Sequence, residues 1–508
     1  MPSTDERDIA EGGGGWNARP LLAADRGGFV DRHDLWTQAQ FAAAGQLRRV
    51  VDELGLELVR FSFADQHGVL HGKTLTRAAL PGALRSGVTA PSSLLLKDTS
   101  GRSAFGVFSA DTGVGVEGFS GAGDIVLVPD PTTFRVLPWA PKTGWILCDL
   151  RFPDGSPVPF CGRSILRRQL ERLRETGLAM TVGVELEFHV FRDTEGALTD
   201  DRTGMPGTPG RAPLVGPVST GSQLLLEEGL DRVDDLVHTF HRGLHALDLP
   251  LRSVELEFGP NQLEITLQAA DAARAADDVI LTRSAIRQLA RRTGHHATFM
   301  ARPAGANGAS AGWHLHQSLR DVRTGEAVFD GDSAAFGGMS DTARHYLAGL
   351  LAHAPAATAF TTPTVNGYKR YRAFSLAPDR ICWGADNKGA MVRVVGGGQD
   401  TGVRLENRGG EPAANPYLYI ASQVVSGLDG LARKLDPPAP VTDPYATAAD
   451  RLPASLAEAV TALEADPVFG EALGPEVVAW YAHLKRDEFA RYLAHVSDWE
   501  QREYFDLF

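Results

Sequence analysis

Cysteine is scarce in this chain of 508 residues, where it occurs only as Cys148, Cys161 and Cys382. None of the three stands in the close pairs that are typical of zinc sites and disulfide frameworks. We therefore expect three buried thiols, and neither a disulfide scaffold nor a zinc site.

Long apolar runs are also lacking. No segment reaches about 18 uninterrupted apolar residues, the length expected of a helix that spans a membrane. The opening stretch MPSTDERDIAEGGGG has acidic residues and glycines where a signal peptide would have a basic end and an apolar core. These features predict a cytoplasmic protein that does not contact a membrane.

Positive charge is in the minority, with 50 Lys and Arg against 63 Asp and Glu and a formal net charge of -13. Proteins that bind nucleic acid or anionic lipid surfaces present basic patches. We therefore expect no nucleic-acid partner. Hydrophobic residues make up 43% of the chain, which is typical of a folded globular protein.

The familiar nucleotide-binding loops are absent as well. No Walker A sequence, kinase glycine loop or GxGxxG opens a helix, and no nucleophile elbow of a Ser-His-Asp hydrolase is present. If the chain binds a nucleotide, it does so on a less common fold.

The chain is long enough for two or three folded units. Residues 1–35 lack sustained periodicity and contain a glycine run, which predicts a mobile tail. The segment 151–162 is rich in proline and glycine, as linkers are. It divides a small β-rich domain, 36–150, from a larger domain, 151–508. Helices and strands interleave without the rhythm of a parallel sheet, so the predicted class is α+β.

Two predicted strands carry carboxylates on one face. Because successive strand side chains point to opposite faces, the alternation in TVGVELEFHV places Glu185 and Glu187 together, opposite an apolar face. The same alternation in SVELEFGPNQLEITL sets Glu255 and Glu257 on one face, and Glu264 opposes the leucines that follow the turn.

Two further strands add imidazole and guanidinium groups. GWHLHQSL places His314 and His316 together, and VRLENR does the same for Arg404, Glu406 and Arg408. Any one of these strands could belong to a sheet with a solvent-facing side. Together, clustered carboxylates with imidazole suit Mg²⁺ or Mn²⁺, and nearby guanidinium groups suit phosphate or carboxylate. The four strands predict a metal and phosphate site.

Five motifs, in this order, resemble the glutamine synthetase family: GVELEF, ELEFGPNQLE, GWHLHQSL, NGYKRY and RLENRGGEPAANPYLYIA. The resemblance runs from about residue 56 to the C-terminus. It implies a small β-grasp-like N-terminal domain and a catalytic domain whose curved antiparallel sheet forms a funnel. It also implies a homo-oligomer of stacked rings, a dodecamer, with active sites at subunit interfaces.

The resemblance also implies roles for individual residues. One metal site would use Glu187, Glu257 and Glu264, and the other Glu185, His314 and Glu406, holding two or more Mg²⁺ or Mn²⁺ ions. ATP would contact His316 and Ser318, with Arg393 and Arg404 supporting its phosphates, while Arg370 and Arg408 would hold glutamate. Asp98, in a loop reaching a neighbouring subunit's site, would bind the amine and accept its proton.

The implied reaction is an ATP-dependent ligation of glutamate to an amine through γ-glutamyl phosphate. Three positions depart from the glutamine-forming pattern. Leu376 replaces a flap glutamate that would help to bind ammonium, Lys388 replaces a catalytic arginine, and Ala309 with Ser310 replaces an Asn-Gly pair at the glutamate site.

Leu376 removes a charge that ammonium would need and offers apolar surface instead. We therefore expect an organic amine with a hydrophobic or aromatic body. Two alternatives remain open: an ordinary glutamine synthetase that uses ammonia, and a degenerate homologue with a structural or regulatory role. The presence of all six implied metal ligands disfavours the degenerate homologue.

Overall fold

The computed structural model describes residues 27–109, 111–331, 337–372, 374–396 and 402–508. Most of the predicted tail, residues 1–26, therefore lies outside the described residues. The end of the predicted tail is packed: helix α1 (Phe29–Arg32) buries Phe29 and Val30. These two apolar side chains gain from leaving water, so the packed chain begins before residue 36.

The first sheet has the strand order β2-β1-β5-β4-β3. Strands β1 and β5 pair in parallel and the other pairs are antiparallel. Helix α2 (Gln38–Glu53) packs on β4, and a capping box of Thr37 and Gln40 starts it. The strands are β1 (Leu58–Ala64), β2 (Leu70–Thr76), β3 (Val88–Pro91), β4 (Asp124–Val136) and β5 (Thr143–Arg151).

The second sheet has the order β12-β13-β14-β11-β6-β9-β8, with β7 and β10 also paired to β6. All pairs except β12 with β13 are antiparallel. Its strands are β6 (Leu178–Asp193), β7 (Val215–Gly216), β8 (Leu251–Leu256), β9 (Gln262–Asp271), β10 (His295–Thr298), β11 (Trp313–Asp321), β12 (Trp383–Ala385), β13 (Val392–Val395) and β14 (Arg404–Gly410).

Helices cover one face of the second sheet. Helices α4 and α7 contact β6, and α10 contacts α4, α7 and α8. The remaining helices are α3 (Leu80–Ser86), α4 (Gly162–Glu175), α5 (Glu227–Asp231), α6 (Asp234–Ala246), α7 (Ala272–Arg292), α8 (Asp341–Ala352), α9 (Ala354–Thr361), α10 (Pro416–Arg433), α11 (Leu456–Ala465), α12 (Pro467–Leu473), α13 (Pro475–Ala494) and α14 (Asp498–Tyr504). Among the described helices, none is long and apolar enough to cross a membrane.

The central strand β6 explains why helices cover only one face. Val182, Val184, Leu186, Phe188 and Val190 are all buried, and they form the apolar face that the sequence pattern predicts. The intervening residues Glu185 and Glu187 point to the other face, which the helices do not cover, and there they can form a polar site. The α+β prediction is confirmed, while the domain bounds at 35 and 150 stay predictions.

Candidate active site

Strand register brings the predicted acidic and imidazole side chains together. Strand β6 lies between β9 and β11, so that Glu187 stands opposite Glu264 and Glu185 stands opposite His314. Strand β14 continues the row, with Glu406 opposite His316. Directly opposed residues have Cβ atoms about 4.5–5.5 Å apart, so the pairings alone concentrate these groups.

Two groups of side chains have the spacing of metal ligands. Glu185, His314 and Glu406 offer ligand atoms within 4.8 Å of one another, and so do Glu187, Glu264 and His314. His314 lies between them: its Nδ1 is 3.3 Å from Glu185 Oε2, and its Nε2 is 3.6 Å from Glu187 Oε1. The first group is the trio that the resemblance implies.

The second group differs from the implied trio, because His314 stands in it where Glu257 was expected. Glu257 lines the same cavity as Glu187 and Glu264, but it lies just past the end of β8. The charge of Glu257 nevertheless acts on this group, because it helps to raise the pKa values of Glu187 and Glu264. The role of Glu257 as a metal ligand stays a prediction.

The negative charges of Glu187 and Glu264 are poorly offset by cations of the protein itself. Burial, with the charge of Glu257, raises the pKa of Glu187 to about 8. Burial and the charges of Glu187 and Glu185 raise the pKa of Glu264 to about 9. A bound divalent cation would let both groups ionise at neutral pH. A donor set of carboxylates and one imidazole therefore fits Mg²⁺ or Mn²⁺.

The two histidines of β11 have distinct environments. Burial, with the nearby charge of Arg408, lowers the pKa of His314 to about 4, so that its ring is neutral, as a metal ligand must be. His316 lies 2.9 Å from Glu185 through Nε2, and Arg404 Nε donates to its Nδ1 at 3.2 Å. Although burial opposes it, hydrogen bonding to both histidines lowers the pKa of Glu185.

Arginines surround Glu406, which is fully buried. Arg393 Nη1 donates to Glu406 Oε2 at 2.9 Å, and Arg408 forms an ion pair with the other oxygen. Arg408 also donates through Nε to the carbonyl of Lys388 at 2.8 Å. The cations keep Glu406 ionised inside the fold, where it can serve a metal or a phosphate site.

Arg370 is buried and incompletely bonded. It ends the 3₁₀ turn Gly367–Arg370, and its Nη1 donates to the carbonyl of Gly409 at 3.2 Å. Its Nε has no hydrogen-bond partner among the residues that the structure describes. An unpaired buried donor is costly, and a carboxylate ligand would satisfy it.

The predicted residues divide between two adjoining cavities that share Glu185. The first, of about 210 Å³, is lined by His316, Ser318 and Arg404, the residues expected to contact ATP. The second, of about 240 Å³, contains the residues expected to bind glutamate and to support catalysis; among them are Arg370, Arg408, Lys388, Arg393 and Leu376.

Asp98 lies apart from both cavities. Its side chain is buried, accepts hydrogen bonds from the backbone amides of Ser100 at 2.8 Å and Arg102 at 3.0 Å, and pairs with Arg491 at 3.0 Å. Although burial opposes it, hydrogen bonds from Ser100 lower its pKa. Its action on a neighbouring subunit's site stays a prediction.

An apolar rim borders the second cavity. Leu224, Leu225 and Phe258 line it beside Leu376, and all four are partly exposed. The amide of Leu225 donates to the carbonyl of Leu256 at 3.0 Å, which ties the leucine segment to β8. We call these four residues the apolar rim. The strand patterns in the sequence do not single out Leu224, Leu225 and Phe258, although consecutive leucines after a polar loop are a signal for the first two.

Two aromatic residues close to Leu376 in the sequence make their contacts elsewhere. Phe374 is 84% exposed and its ring packs against Tyr445, with centroids 5.0 Å apart. The hydroxyl of Tyr371 donates to the carbonyl of Gly409 at 3.1 Å and lies 2.7 Å from the hydroxyl of Thr362. Neither residue lines the second cavity.

Comparison with known proteins gives consistent findings. Residues 159–504 match the family model described as glutamine synthetase, catalytic domain. The chain is 43% identical over 496 residues to a gamma-glutamylanilide synthase of Acinetobacter sp, covering 94% of this chain and 99% of that protein. It is 34% identical over 472 residues to gamma-glutamylethanolamide synthetase GlnA4 of Streptomyces coelicolor, covering 91% and 95%.

A solved structure described as a GmaS/ADP complex is similar in fold, with a TM-score of 0.75 and 30% sequence identity. The match covers 91% of this chain and 99% of that chain. The glutamine synthetase of Halobacterium salinarum is 34% identical over 412 residues, covering 78% of this chain and 86% of that protein.

Proposed function

The chain belongs to the glutamine synthetase family, and we propose that it joins the γ-carboxylate of glutamate to an organic amine, with conversion of ATP to ADP and phosphate. The observation that carries this proposal is a carboxylate and arginine cavity bordered by the apolar rim. Relatives named for γ-glutamylanilide and γ-glutamylethanolamide support it.

The acidic groups fit divalent cations, with Glu185, His314 and Glu406 holding one and Glu187 and Glu264, joined by Glu257 or His314, holding another. When bound, such cations neutralise phosphate charge and reduce repulsion between reacting anions. The shared position of Glu185 between the cavities explains how ATP and glutamate can meet there.

The arginines then bind and orient the substrates. Arg370, whose Nε has no partner among the described residues, and Arg408 bind the α-carboxylate of glutamate, and Glu187 binds its α-amine. Arg393 and Arg404 offset the charge of the ATP phosphates. A γ-carboxylate oxygen attacks the γ-phosphorus, forming γ-glutamyl phosphate as the bond to the leaving ADP breaks. Lys388 lies in the same cavity, where it can offset charge on the transferring group.

The amine completes the reaction by attacking the acyl carbon, which releases phosphate. Asp98 of a neighbouring subunit accepts the proton that the amine loses. The apolar rim holds the body of the amine, because burying each CH₂ group there contributes about 0.8 kcal/mol. Ammonium has no such body to bury, and Leu376 offers it no charge.

The test measures ADP release with glutamate and a panel of amines: aniline, alkylamines, ethanolamine, a polyamine and ammonium. We expect the highest kcat/KM for an amine with an aromatic or alkyl body. Leu225→Ala should lower kcat/KM for that amine about fivefold or more, in line with lost burial, and leave ammonium unaffected. Leu376→Glu should shift preference toward ammonium.

Leu198→Ala serves as the control, because Leu198 is an exposed leucine that does not line the cavity. A higher kcat/KM for ammonium than for every organic amine would indicate an ordinary glutamine synthetase. Absence of ADP release with every amine, together with no binding of Mg·ATP, would indicate the degenerate homologue instead.

A further inference from the structure

A third cavity, of about 660 Å³, lies between the two sheets' elements and shares no lining residue with the two active-site cavities. Its walls come from the turn between β1 and β2, from helix α7, and from the segments 296–300 and 363–366. We call it the α7 cavity. Its volume is in the range of about 300–1,000 Å³ that small-molecule sites occupy.

The α7 cavity has an unusual charge. Arg283, Arg287 and Arg291 line it from α7, spaced four residues apart and hence on one helix face. Lys485 lines it too, whereas no aspartate or glutamate among the described residues does so. In a chain with 63 acidic and 50 basic residues, a cavity of this size without an acidic side chain is unexpected.

Two of these arginines have no acidic partner among the described residues. Arg287 and Arg291 are exposed, and among the described residues neither side chain makes a hydrogen bond or an ion pair. Although part of the Arg287 side chain is exposed, neighbouring atoms shield the rest from water, and this desolvation, followed by the charge of Arg291, lowers its pKa. By contrast, Lys485 is paired with Glu488 at 3.0 Å. The free positive charge of the cavity therefore resides mainly on Arg287 and Arg291.

Arg283 adds a third cation deeper in the wall. It is buried and donates to the carbonyls of Pro412 at 2.9 Å, Ala414 at 2.8 Å and Gly68 at 3.1 Å. These bonds fix its position but supply no negative charge. Burial, followed by the charge of Arg287, lowers its pKa to about 10. A ligand with negative charge would relieve the repulsion along the helix face.

Two histidines can add further donors. His67 lies 3.0 Å through Nε2 from the carbonyl of Lys97, and its Nδ1 is buried without a partner among the described residues. His296 lines the same cavity. Burial, followed by the charge of nearby cations, lowers the pKa of both rings, so that either ring would gain a proton only if a bound anion offset these effects.

One wall of the α7 cavity is the chain segment that precedes Arg370 of the proposed glutamate site. Thr364 lines the cavity and donates through its amide and hydroxyl to Glu411, at 2.7 and 2.9 Å. Asn366 also lines it and accepts from the amide of Arg302 at 2.7 Å. The 3₁₀ turn that ends in Arg370 follows directly, so an occupant would rest on the segment that carries Arg370.

We propose that the α7 cavity is a binding site for a small molecule bearing two or more carboxylate or phosphate groups. Arg287 and Arg291 are about one helical turn apart, so they can hold two anionic groups separated by roughly 5–6 Å. The overall charge of -13 repels a nucleic acid, and the bounded volume suits a small molecule.

The test is calorimetric binding of two probes, succinate and inorganic phosphate, to the whole chain without nucleotide. Succinate represents paired carboxylates and phosphate represents phosphorylated ligands. We expect at least one probe to bind the wild type, and Arg287→Gln combined with Arg291→Gln to weaken that binding at least tenfold. Each single variant should lose part of the affinity.

The matched control is Arg49→Gln combined with Arg242→Gln, which removes the same charge from exposed helix positions that do not line the cavity. Control binding should equal that of the wild type. Equal binding by the α7 double variant, or no binding of either probe to the wild type, would overturn the proposal. The proposal would also be overturned if the α7 double variant changed the molecular mass in solution without changing anion binding. The α7 cavity would then be a contact between copies of the chain.

Discussion

At the scale of single residues, the family resemblance and the structure differ in how they assign Glu257. The resemblance assigns it to a metal site, whereas the structure gives the closest ligand atoms to Glu187, Glu264 and His314. Glu257 lines the same cavity as Glu187 and Glu264, so replacing it distinguishes the two assignments.

We expect Glu257→Gln to lower Mg²⁺-dependent ADP release by about 10-fold or more, because an amide cannot supply the negative charge that a divalent cation requires. Glu255→Gln is the matched control. Glu255 lines the same cavity but is bonded to the hydroxyl of Ser253 at 2.7 Å. Steady-state rates at several Mg²⁺ concentrations make the measurement, and unchanged turnover in Glu257→Gln would remove that residue from the site.

At the scale of elements, a buried ion cluster ties the first sheet to the helices behind the second. Arg163 of α4 lies 2.8 Å from Asp130 of β4, 3.0 Å from Asp149 of β5 and 2.7 Å from Asp277 of α7. Although burial opposes it, the charge of Arg163 lowers the pKa of Asp130. One guanidinium thus holds four elements in register.

We expect Arg163→Met to destabilise the protein by about 3–5 kcal/mol at pH 7, because it leaves Asp277 without its ion pair. Asp130 and Asp149 would keep only Arg167, at 2.9 and 2.6 Å. The stability that Asp130 confers is present above its unfolded pKa of about 3.8 and is lost as pH falls through its lower folded pKa. The difference between variant and wild type should therefore shrink in acid. Urea unfolding at pH 7 and at pH values below 4 measures it.

Arg174→Met is the control for this prediction, since Arg174 is an exposed residue of the same helix. It should change the free energy of unfolding little. If Arg163→Met unfolded at the same urea concentration as this control, the cluster would not be holding the elements together.

At the scale of the whole molecule, helix α14 and the residues that follow it leave large apolar side chains in solvent. Trp499, Phe505 and Phe508 are 56%, 74% and 100% exposed, and α14 has no buried residue. Exposed apolar patches mark interaction surfaces. This surface supports the predicted homo-oligomer, although the stacked rings and the dodecamer stay predictions.

We expect Trp499→Ser combined with Phe505→Ser to lower the molecular mass in solution, because less apolar area is left to bury between copies. Light scattering at working concentration provides the measurement. Arg502→Ser, on the same helix, should leave the mass unchanged. A monomeric wild type would defeat the ring prediction, and equal masses for all three proteins would exclude α14 from the interface.

The amino-acid sequence by itself determined the faces of the strands and which polar side chains those faces carry. The period of two along β6 is a local property, so it separates Glu185 and Glu187 from the buried face without knowledge of any partner strand. The start of α2 at the capping box of Thr37 and Gln40 and the start of α13 at Pro475 also follow from local sequence, because caps and proline act within one turn.

Only the tertiary structure decided which groups from distant segments meet. The position of His314 between two carboxylate groups depends on cross-strand register, and the apolar rim joins Leu225 to Leu376 across about 150 residues of sequence. The α7 cavity likewise pairs a helix face with a turn more than 200 residues earlier. Such contacts depend on long-range packing, which no local periodicity encodes.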